Sequence, residues 1–574
     1  MTSYATMINH VEGSWTALVG EEIRSKLLPK DEPMLNQFLP LGDLQTILSS
    51  TSTDKILQEN LEGDDSISDI TSKILGSGCK PSLKIFATLI LIEKVKHIPH
   101  FFRLEVHDEM LPLPLKFDAE VFQSWSPPEI EAFCERQYRF MAPIFDFTTM
   151  KHYQWGRLLR LPFLEPLKWE KGGAHGQVAK VKIHPQHQAW KTPSSSSAQT
   201  SCFAVKKFIA QNTQGVANFN MERAALLRFS KQNSGHKHLI KLLLSYQIED
   251  RLYMIFPWAH GNLAEFWKRY PSKPSGRDAL WLIQQCFGLS DGLSKVHGYN
   301  QRLPRCGHEE DMDDMDAANR GRHGDIKPEN ILFFLETESD RGHLVVSDFT
   351  LMRFHSEDTI NKTAANMVGF STAYCPPEVQ HGSDIFVDQK YDIWTLGCVY
   401  LEFITWYLLG YDAIRGRSFK TSSGDILQSF QTMRRNDHGG SDDKYFSHVP
   451  GLLPKVKTSV DTWIRMLHKH EHCSQAIHDF LSLIDHYMLV PLPNNRYAMN
   501  KVREELQIIA FKCEEDGKYC QTGIPRGTIR RGVNHLHGRI QSFQSSREQL
   551  PTIKQGVRET MRGQATLDIL NIII

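Results

Sequence analysis

At 574 residues the chain is too long for one core, and two to four domains are expected. Lys+Arg and Asp+Glu both number 66, a formal net charge of +0, so nothing argues for a general attraction to nucleic acid or to an anionic membrane. The most apolar run, Ile85 to Ile92, is far short of the roughly 20 residues a membrane helix needs, which excludes a span there. A composition 41% hydrophobic and 23% charged is that of an ordinary soluble globular protein. Ten cysteines without CxxC pairs or metal-ligand spacing read as reduced thiols. Met1-Thr2-Ser3-Tyr4 opens no secretory signal, so an intracellular chain is expected, in the cytoplasm with the nucleus left open.

The first 115 residues read as helical. Leu44, Ile47 and Leu48, then Ile67, Ile70, Ile74 and Leu75, recur at mostly three- and four-residue intervals, as on one helix face. Gly76-Ser77-Gly78, followed by Pro81, breaks the pattern, and a second apolar segment runs from Leu83 to Val95. Glu62-Gly63-Asp64-Asp65 reads as a solvated turn. From Pro127 to His152 another helix-like stretch follows, with Ile130, Phe133, Tyr138 and Phe140. A small interaction or regulatory module and a packing extension of the next domain are equally good readings, and a protein partner is one expectation for it.

From about Leu161 short alternating segments take over. Leu167 to Val181 reads as strand, glycine turn and strand, with Gly173, Gly176 and Val178 at the turn. Glycines let backbone N–H groups approach phosphates because no Cβ intervenes, although glycine hairpins are common and this one carries little weight alone. Thr192 to Ser201, with its serine run, reads as a flexible loop. The strand Phe203-Ala204-Val205-Lys206 comes next. Sixteen residues later Glu222 stands among strong helix formers, Met221 to Leu227. Taken alone, Lys206 and Glu222 would be a surface lysine and a solvated glutamate. Leu252 to Phe256 is an apolar strand that runs into Pro257-Trp258-Ala259.

An acidic insertion, Arg302 to Arg322, carries Glu309-Glu-Asp-Met-Asp-Asp-Met-Asp316. It reads as an exposed loop, since it lacks the glycine and final glutamate of a calcium loop. Then His323-Gly-Asp325-Ile-Lys327-Pro-Glu-Asn330-Ile-Leu332 sets a carboxylate, an ammonium and a carboxamide within six residues. Phosphoryl transfer from ATP needs that set: a carboxylate orients the attacking hydroxyl, a cation neutralises the moving group and an amide oxygen holds a metal. Eighteen residues after Asn330, Asp348 ends the apolar run Leu344-Val-Val-Ser, followed by Phe349-Thr350. Carboxylate and amide oxygens suit Mg2+. Gly369 to Glu378, Asp392-Ile-Trp394-Thr-Leu-Gly397 and Pro493-Asn-Asn-Arg496 complete the series.

In this order, the motifs resemble those of eukaryotic-type protein kinases, over roughly residues 162 to 512. The long helical extension is similar to that of divergent serine/threonine kinases of filamentous fungi. The resemblance implies an α+β, bilobal protein-kinase fold, with a small β-rich lobe and a large helical lobe. Its domains would be a helical region (1–115), a helical linker (116–161), the kinase domain (162–512) and a more basic C-terminal extension (513–574), loosely packed or disordered. It also implies Asp325, Lys327, Lys206, Asn330 and Asp348 as catalytic residues, with Mg2+ on Asn330 and Asp348. ATP would meet Gly173, Gly176, Val178, Ala204, Lys206 with its partner Glu222, Phe256 as gatekeeper, Pro257, Ala259 as hinge donor, and Leu332. Phe349 would pack with His323 and Leu226, Asp392 would anchor the catalytic loop, and Arg496 would pair with Glu378. The sequence departs from the family at Lys171, Gly324, Thr350 and Pro376, where glycine, arginine, glycine and alanine are usual.

Three functions fit. An active serine/threonine kinase is favoured by Lys327, and Ser371 is its candidate for the hydroxyl bridging Asp325 and Lys327. A pseudokinase scaffold is suggested by Lys171, Gly324 and Thr350, none of them a catalytic group. A small-molecule phosphotransferase also uses His-Gly-Asp, but Lys327 and the Glu378–Arg496 pair belong to a protein-substrate platform. Two departures carry further expectations. The Cβ of Thr350 resists positive φ, so the flip of Asp348-Phe349 should be hard; Phe256 narrows the pocket as well. Gly324 brings no charge, so phosphorylation of Ser356, Thr359 or Thr363 should not be required, and control should fall to the N-terminal region.

Overall fold

Leu83–Leu91 (α5) is apolar at nearly every position, and it forms a helix buried from Ile85 to Leu91 at the centre of a helical cluster. In the computed structural model the described residues run from 14 to 526. They exclude 34–35, 63–65, 117–118, 170–175, 191–201, 209–212, 232–234, 272–277, 299–319, 336–341, 352, 356–372, 382–387, 422, 438–441 and 450. Around α5 stand Trp15–Lys26 (α1), Leu41–Ile47 (α2), Ser50–Asn60 (α3), Ile67–Leu75 (α4), Ile98–Arg103 (α6) and Pro127–Arg136 (α7). Ser14, Ser49 and Ser66 each accept a first-turn N–H of α1, α3 and α4, which satisfies donors that a helix start leaves orphaned. Gly76, at φ 80, ends α4, and the Ser77 N–H returns to the Ser72 carbonyl, so the Gly-Ser-Gly break is a helix stop. The shared core includes Ile23, Ile56, Ile74, Phe101 and Phe133.

The helical expectation over 116–161 fails beyond Phe140. A 3-10 turn, Gln137–Phe140, closes the helix, Pro143 follows, and the chain turns to strands Phe145–Asp146 (β1) and His152–Trp155 (β2). The aromatic residues of this stretch pack as a strand would: Trp155 stacks on Phe145 and lies 5.1 Å from the ring of Tyr246. β2 then joins a six-stranded sheet with Lys168–Trp169 (β3), Gln177–Lys182 (β4), Cys202–Phe208 (β6), Leu244–Ile248 (β7) and Arg251–Pro257 (β8). The order is β2-β7-β8-β6-β4-β3, with β2 parallel to β7 and the other pairs antiparallel. The short Gln188–Ala189 (β5) pairs with β1. His187 ties this region to the helical cluster. Its Nε2 accepts from the Leu41 N–H at 3.2 Å, and its Nδ1 donates to the Pro143 carbonyl at 3.1 Å.

Strand alternation divides the sheet's side chains between two cores. Phe203, Val205 and Ile255 join one with Phe145 and Tyr246, whereas Ala204, Met254 and Phe256 join the other. The long helix Thr213–Lys231 (α8) contributes Phe219 and Leu226 to that second core. The second core continues into the helical part of the chain: Leu263–Arg269 (α9), Ala279–His297 (α10), Lys390–Leu409 (α11), Tyr411–Ile414 (α12), Phe430–Asn436 (α13), Thr458–Lys469 (α14), Gln475–Leu483 (α15) and Met499–Glu515 (α16). α11 is buried throughout from Tyr391 to Trp406, which is why its sequence shows no polar face.

Short strands frame the segment 323–332: Gly261–Asn262 (β9), Arg320–Arg322 (β10), Ile331–Phe334 (β11), His343–Val346 (β12) and Arg353–His355 (β13). β9-β11-β12 and β10-β13 are antiparallel. The chain does not loosen at residue 513. α16 continues to Glu515, and Gly517–Gln521 (α17) follows with Cys513 and Cys520 both buried. The Ile524 and Arg526 N–H groups bond the Cys473 and His468 carbonyls. Among the described residues no helix is long and apolar enough to cross a membrane.

Candidate active site

Lys206 points from β6 into the second core because alternation puts it on the same face as Ala204. There its Nζ meets both Glu222 oxygens at 2.8 Å and Asp348 Oδ1 at 3.0 Å. Glu222 is only 2% exposed, so the pair is desolvated. Burial would lower the Lys206 ammonium, but the Asp348 and Glu222 carboxylates outweigh it and hold it above its ordinary value. Thr350 completes the group. Its Oγ1 lies 2.7 Å from Glu222 Oε2, 2.6 Å from Asp348 Oδ1 and 3.3 Å from Lys206 Nζ. Asp348, not Thr350, has the left-handed backbone, at φ 64, and Thr350 lies in the 3-10 turn Phe349–Leu351. In this conformation Thr350 is held by hydrogen bonds, which add a second restraint on Asp348-Phe349 to the steric one expected of its Cβ.

The catalytic loop is held from below by Asp392 at the start of α11. Its Oδ2 accepts from the His323 N–H and from His297 Nε2, both at 2.8 Å, and its Oδ1 accepts from the Gly324 N–H at 2.9 Å. Burial would raise this carboxyl, but the His297 bond leads the interactions that win and hold it below the usual range. His323 Nε2 donates to the Ser347 carbonyl at 3.0 Å, so its Nδ1 accepts the Asp325 N–H at 3.2 Å. Its ring lies 5.0 Å from Phe349, and Phe349 shares a core with Leu226, as expected.

Above that base Lys327 Nζ contacts Asp325 Oδ2 at 2.7 Å. Asn330 Nδ2 donates to the same oxygen and to the Asp325 carbonyl, both at 2.8 Å. With Nδ2 so committed, Asn330 Oδ1 is left as the oxygen that can meet a cation. Oxygen donors on Asn330 and Asp348 suit Mg2+, and the largely buried Lys206 ammonium beside Asp348 can take a phosphate oxygen.

Gly324 has φ 83, a left-handed backbone that favours glycine, and a Cβ there would sit 3.2 Å from the Leu351 carbonyl oxygen. The same Cβ would lie 3.5 Å from Nε of Arg322, which is 1% exposed and has its guanidinium over the Tyr391 ring at 5.6 Å. Gly324 brings no charge, as expected, but a buried cation stands beside it. Glycine replaces the family's arginine in sequence, but Arg322 brings a guanidinium to its side. Burial lowers Arg322, while Asp392, Tyr391, Asp388 and Glu378 oppose that shift.

Around the prospective nucleotide, Gly176 has φ 149, and a Cβ on it would meet the Lys207 carbonyl oxygen at 2.5 Å. No other residue fits there without moving β6. Val178 pairs with Lys206 across β4 and β6, and Ala204 pairs with Phe256 across β6 and β8. Leu332 lies in β11 opposite Asn262, just past the hinge, and with Ala204 packs partly buried on the main core. At the hinge the Trp258 N–H donates to the Cys202 carbonyl and the His260 N–H to the Phe333 carbonyl. The Ala259 N–H between them has no protein acceptor among the described residues. Trp258 carries Lys180 over its ring at 5.1 Å and is a packed hinge residue. Lys171, Gly173, Ser371, Ser356, Thr359, Thr363, the serine loop and the acidic run 309–316 lie outside the described residues.

Arg496 clasps Glu378 with two bonds of 2.7 and 2.8 Å, a bidentate pair. Sequence reasoning missed the hydroxyl role of Thr350 and the place of Arg322, whose only signal was its position two residues before Gly324. It also missed a buried group of His468, Cys473 and His478.

The family model of the protein kinase domain matches residues 318–505, a stretch that holds Asp325, Asn330, Asp348, Asp392 and Arg496. Lys206 and Glu222 lie outside the match. Over 88 residues, 14% of this chain, it is 38% identical to serine/threonine-protein kinase cds1 of Schizosaccharomyces pombe, covering 17% of that protein. Over 113 residues, 19% of this chain, it is 33% identical to ovarian-specific serine/threonine-protein kinase Lok of Drosophila melanogaster, covering 21% of it. The chain thus spans about a fifth of each of these relatives. With this match and this loop geometry, the chain carries a domain of the eukaryotic-type protein kinase family.

Proposed function

We propose that the chain is an ATP-dependent protein serine/threonine kinase. The observation that carries this reading is the contact of Lys206 with Glu222 and Asp348, because two of the three residues lie outside the family match and still meet the third. A scaffold released from catalysis would have no need to hold an ammonium between a buried carboxylate and a second, partly exposed one. Lys327 beside Asp325 and the names of both relatives support a hydroxyl of serine or threonine as acceptor.

In this reading Asp325 orients the protein hydroxyl and receives its proton, with Asn330 Nδ2 and Lys327 fixing its carboxylate. Lys206 holds the α- and β-phosphate oxygens of ATP, and Lys327 meets charge developing on the γ-phosphoryl group. Mg2+ on Asn330 Oδ1 and Asp348 would neutralise phosphate charge. Gly176 covers the phosphates, Val178, Ala204, Phe256 and Leu332 enclose the adenine, and the Pro257 carbonyl and Ala259 N–H bond its edge. The sheet and the helices from α9 onward form two lobes around this cleft. β1 and β2 support starting the domain near residue 141 instead of 162, after a helical module with a core of its own. That module would meet a protein partner, and the enzyme would work in the cytoplasm.

The test is phosphoryl transfer from radiolabelled ATP with Mg2+ to generic protein substrates, beside Asp325→Asn. Label on serine and threonine that disappears in the variant supports the proposal. Equal label in both proteins, or transfer to small molecules alone, refutes it.

A further inference from the structure

A second cluster of reactive side chains lies on elements that take no part in phosphate chemistry. His468 stands in the last turn of α14, Cys473 in the connection that follows and His478 in α15. All three are buried, Cys473 and His478 completely. Their ligand atoms lie within 4.8 Å of one another. His468 Nδ1 is 2.7 Å from His478 Nδ1, and Cys473 Sγ is 3.5 Å from that same nitrogen. On its far side, His478 Nε2 lies 2.7 Å from the Ile524 carbonyl oxygen, which can only accept. The proton of His478 therefore sits on Nε2, and a bare lone pair on Nδ1 faces His468 and Cys473.

As a plain hydrogen-bonded trio this is poorly matched, because His468 and the Cys473 thiol compete for one lone pair. As a metal site the same atoms agree. A histidine ligand is ordinarily oriented by a carbonyl on its other nitrogen, as Ile524 does here. Bond lengths of about 2.0 Å for Zn–N and 2.3 Å for Zn–S put tetrahedral neighbours roughly 3.3–3.6 Å apart. The Cys473–His478 edge already has that length; the His468–His478 edge, at 2.7 Å, and the His468–Cys473 edge, within 4.8 Å, reach it by a rotation of His468 at its helix end. Two imidazoles and a thiolate select Zn2+ over Mg2+ or Ca2+.

We propose that His468, Cys473 and His478 bind one Zn2+, with a water as fourth ligand, and that the ion staples α14, α15 and the segment after α17 to one another. Cys473 loses its thiol proton to solvent on binding, and no electron transfer is involved. Ile524 carries the staple to the C-terminal segment, whose N–H groups bond the carbonyls of Cys473 and His468. Arg526 is an opposing charge nearby, and its guanidinium is turned to Gln475 Oε1 at 2.6 Å. His470 and His472, in the same histidine-rich run, lie half-buried and exposed, 5.5 Å apart, and serve as an internal control.

The experiment uses the full-length protein without an affinity tag, stripped with phenanthroline and reloaded with Zn2+ or Co2+. One equivalent of zinc should survive desalting and raise the melting temperature by several degrees. Cobalt should give the visible bands of a tetrahedral site with a thiolate-to-cobalt charge-transfer band, a wild-type readout that needs no variant. Cys473→Ser should abolish that band and the tightly held zinc, and His470→Ala with His472→Ala should leave both unchanged. Cobalt without a charge-transfer band, equal zinc in wild type and Cys473→Ser, or loss that follows His470 and His472 would each overturn the proposal. None of these readouts depends on kinase activity.

Discussion

Thr350 Oγ1 bonds Glu222 Oε2 at 2.7 Å, which links the residue two places after Asp348 to the glutamate that holds Lys206. A hydroxyl has one proton, so Thr350 donates to one carboxylate at a time and can accept from Lys206, 3.3 Å away. Glycine, usual at this position, has no such group. The turn, the α8 helix and the strand lysine are therefore fastened to one another by a side chain.

The first prediction is that Thr350→Val, which keeps the shape and removes the hydroxyl, costs about 1–3 kcal/mol of stability, the range for a lost bond to a charged group. It should also strengthen inhibitors that need Asp348-Phe349 turned outward, which the wild type should bind poorly. Thermal melts and inhibitor titrations of both proteins measure this. Sub-micromolar binding of such an inhibitor to the wild type would show that the fastening is weak.

Lys206→Met and Asp348→Asn should each lower kcat by at least about a hundredfold, since positioning and charge neutralisation carry phosphoryl transfer. The two should differ in stability. Lys206→Met leaves Glu222 buried without its cation and should cost about 3 kcal/mol, whereas Asp348, 26% exposed, is less demanding. Steady-state kinetics with urea melts separate the effects, and a Lys206→Met protein as stable as wild type would contradict the buried-pair argument.

The residues that the sequence made legible share one property: each sits in a short motif at a characteristic place in a fixed order. Lys206, Glu222, Asp325, Asn330, Asp348, Asp392 and Arg496 are of this kind, and the fold brings Lys206 to Glu222 and Asp348, Asn330 to Asp325, Asp392 to the Gly324 N–H and Arg496 to Glu378. Thr350 and Arg322 escaped because their importance is a matter of contact and not of motif. Thr350 looked like a missing glycine, and its hydroxyl acquires meaning only once Glu222, 128 positions away, is brought beside it. Arg322 looked like the end of an insertion. β1 and β2 were read as helix because Phe145, Phe147, Tyr153 and Trp155 are too few to display a period of two. His468, Cys473 and His478 recur at intervals of five that match no common zinc spacing, and only a helix end and a tight connection fold them onto one point.

A pH prediction rests on His238, whose Nδ1 donates to the Leu344 carbonyl at 2.7 Å beside the strand that leads to Asp348. Burial pulls its pKa down to about 4, and that carbonyl bond only partly opposes the shift. Unfolded, the ring would titrate near about 6.5, so between the two values the unfolded chain binds the extra proton. The stabilisation is therefore complete above about pH 6.5 and is lost as the pH falls towards 4, by roughly 3 kcal/mol at most. Urea midpoints measured across that window should fall for the wild type and fall less for His238→Gln; parallel curves would rule His238 out as the source.

The last prediction concerns the arginine that this loop lacks. Restoring it as Gly324→Arg ought to be harmless if Gly324 were merely a divergent residue. Two features say otherwise. The backbone at φ 83 is strained for any residue with a Cβ, which costs of the order of 1 kcal/mol and is measured separately by Gly324→Ala. The new side chain would also start 3.5 Å from the buried Nε of Arg322, setting a second guanidinium beside the first with no added carboxylate. Gly324→Arg should thus be less stable than Gly324→Ala by a further 1–2 kcal/mol or so. Removing the competing charge should recover that increment, so Arg322→Gln combined with Gly324→Arg should be more stable than the sum of the two single changes. Urea melts of the four proteins give the coupling directly. Additive losses, within about 0.5 kcal/mol, would mean that Arg322 does not stand in for the missing arginine. A favourable coupling would identify the arginine at position 322 as the loop's substitute cation, reached from β10 instead of from the residue before Asp325.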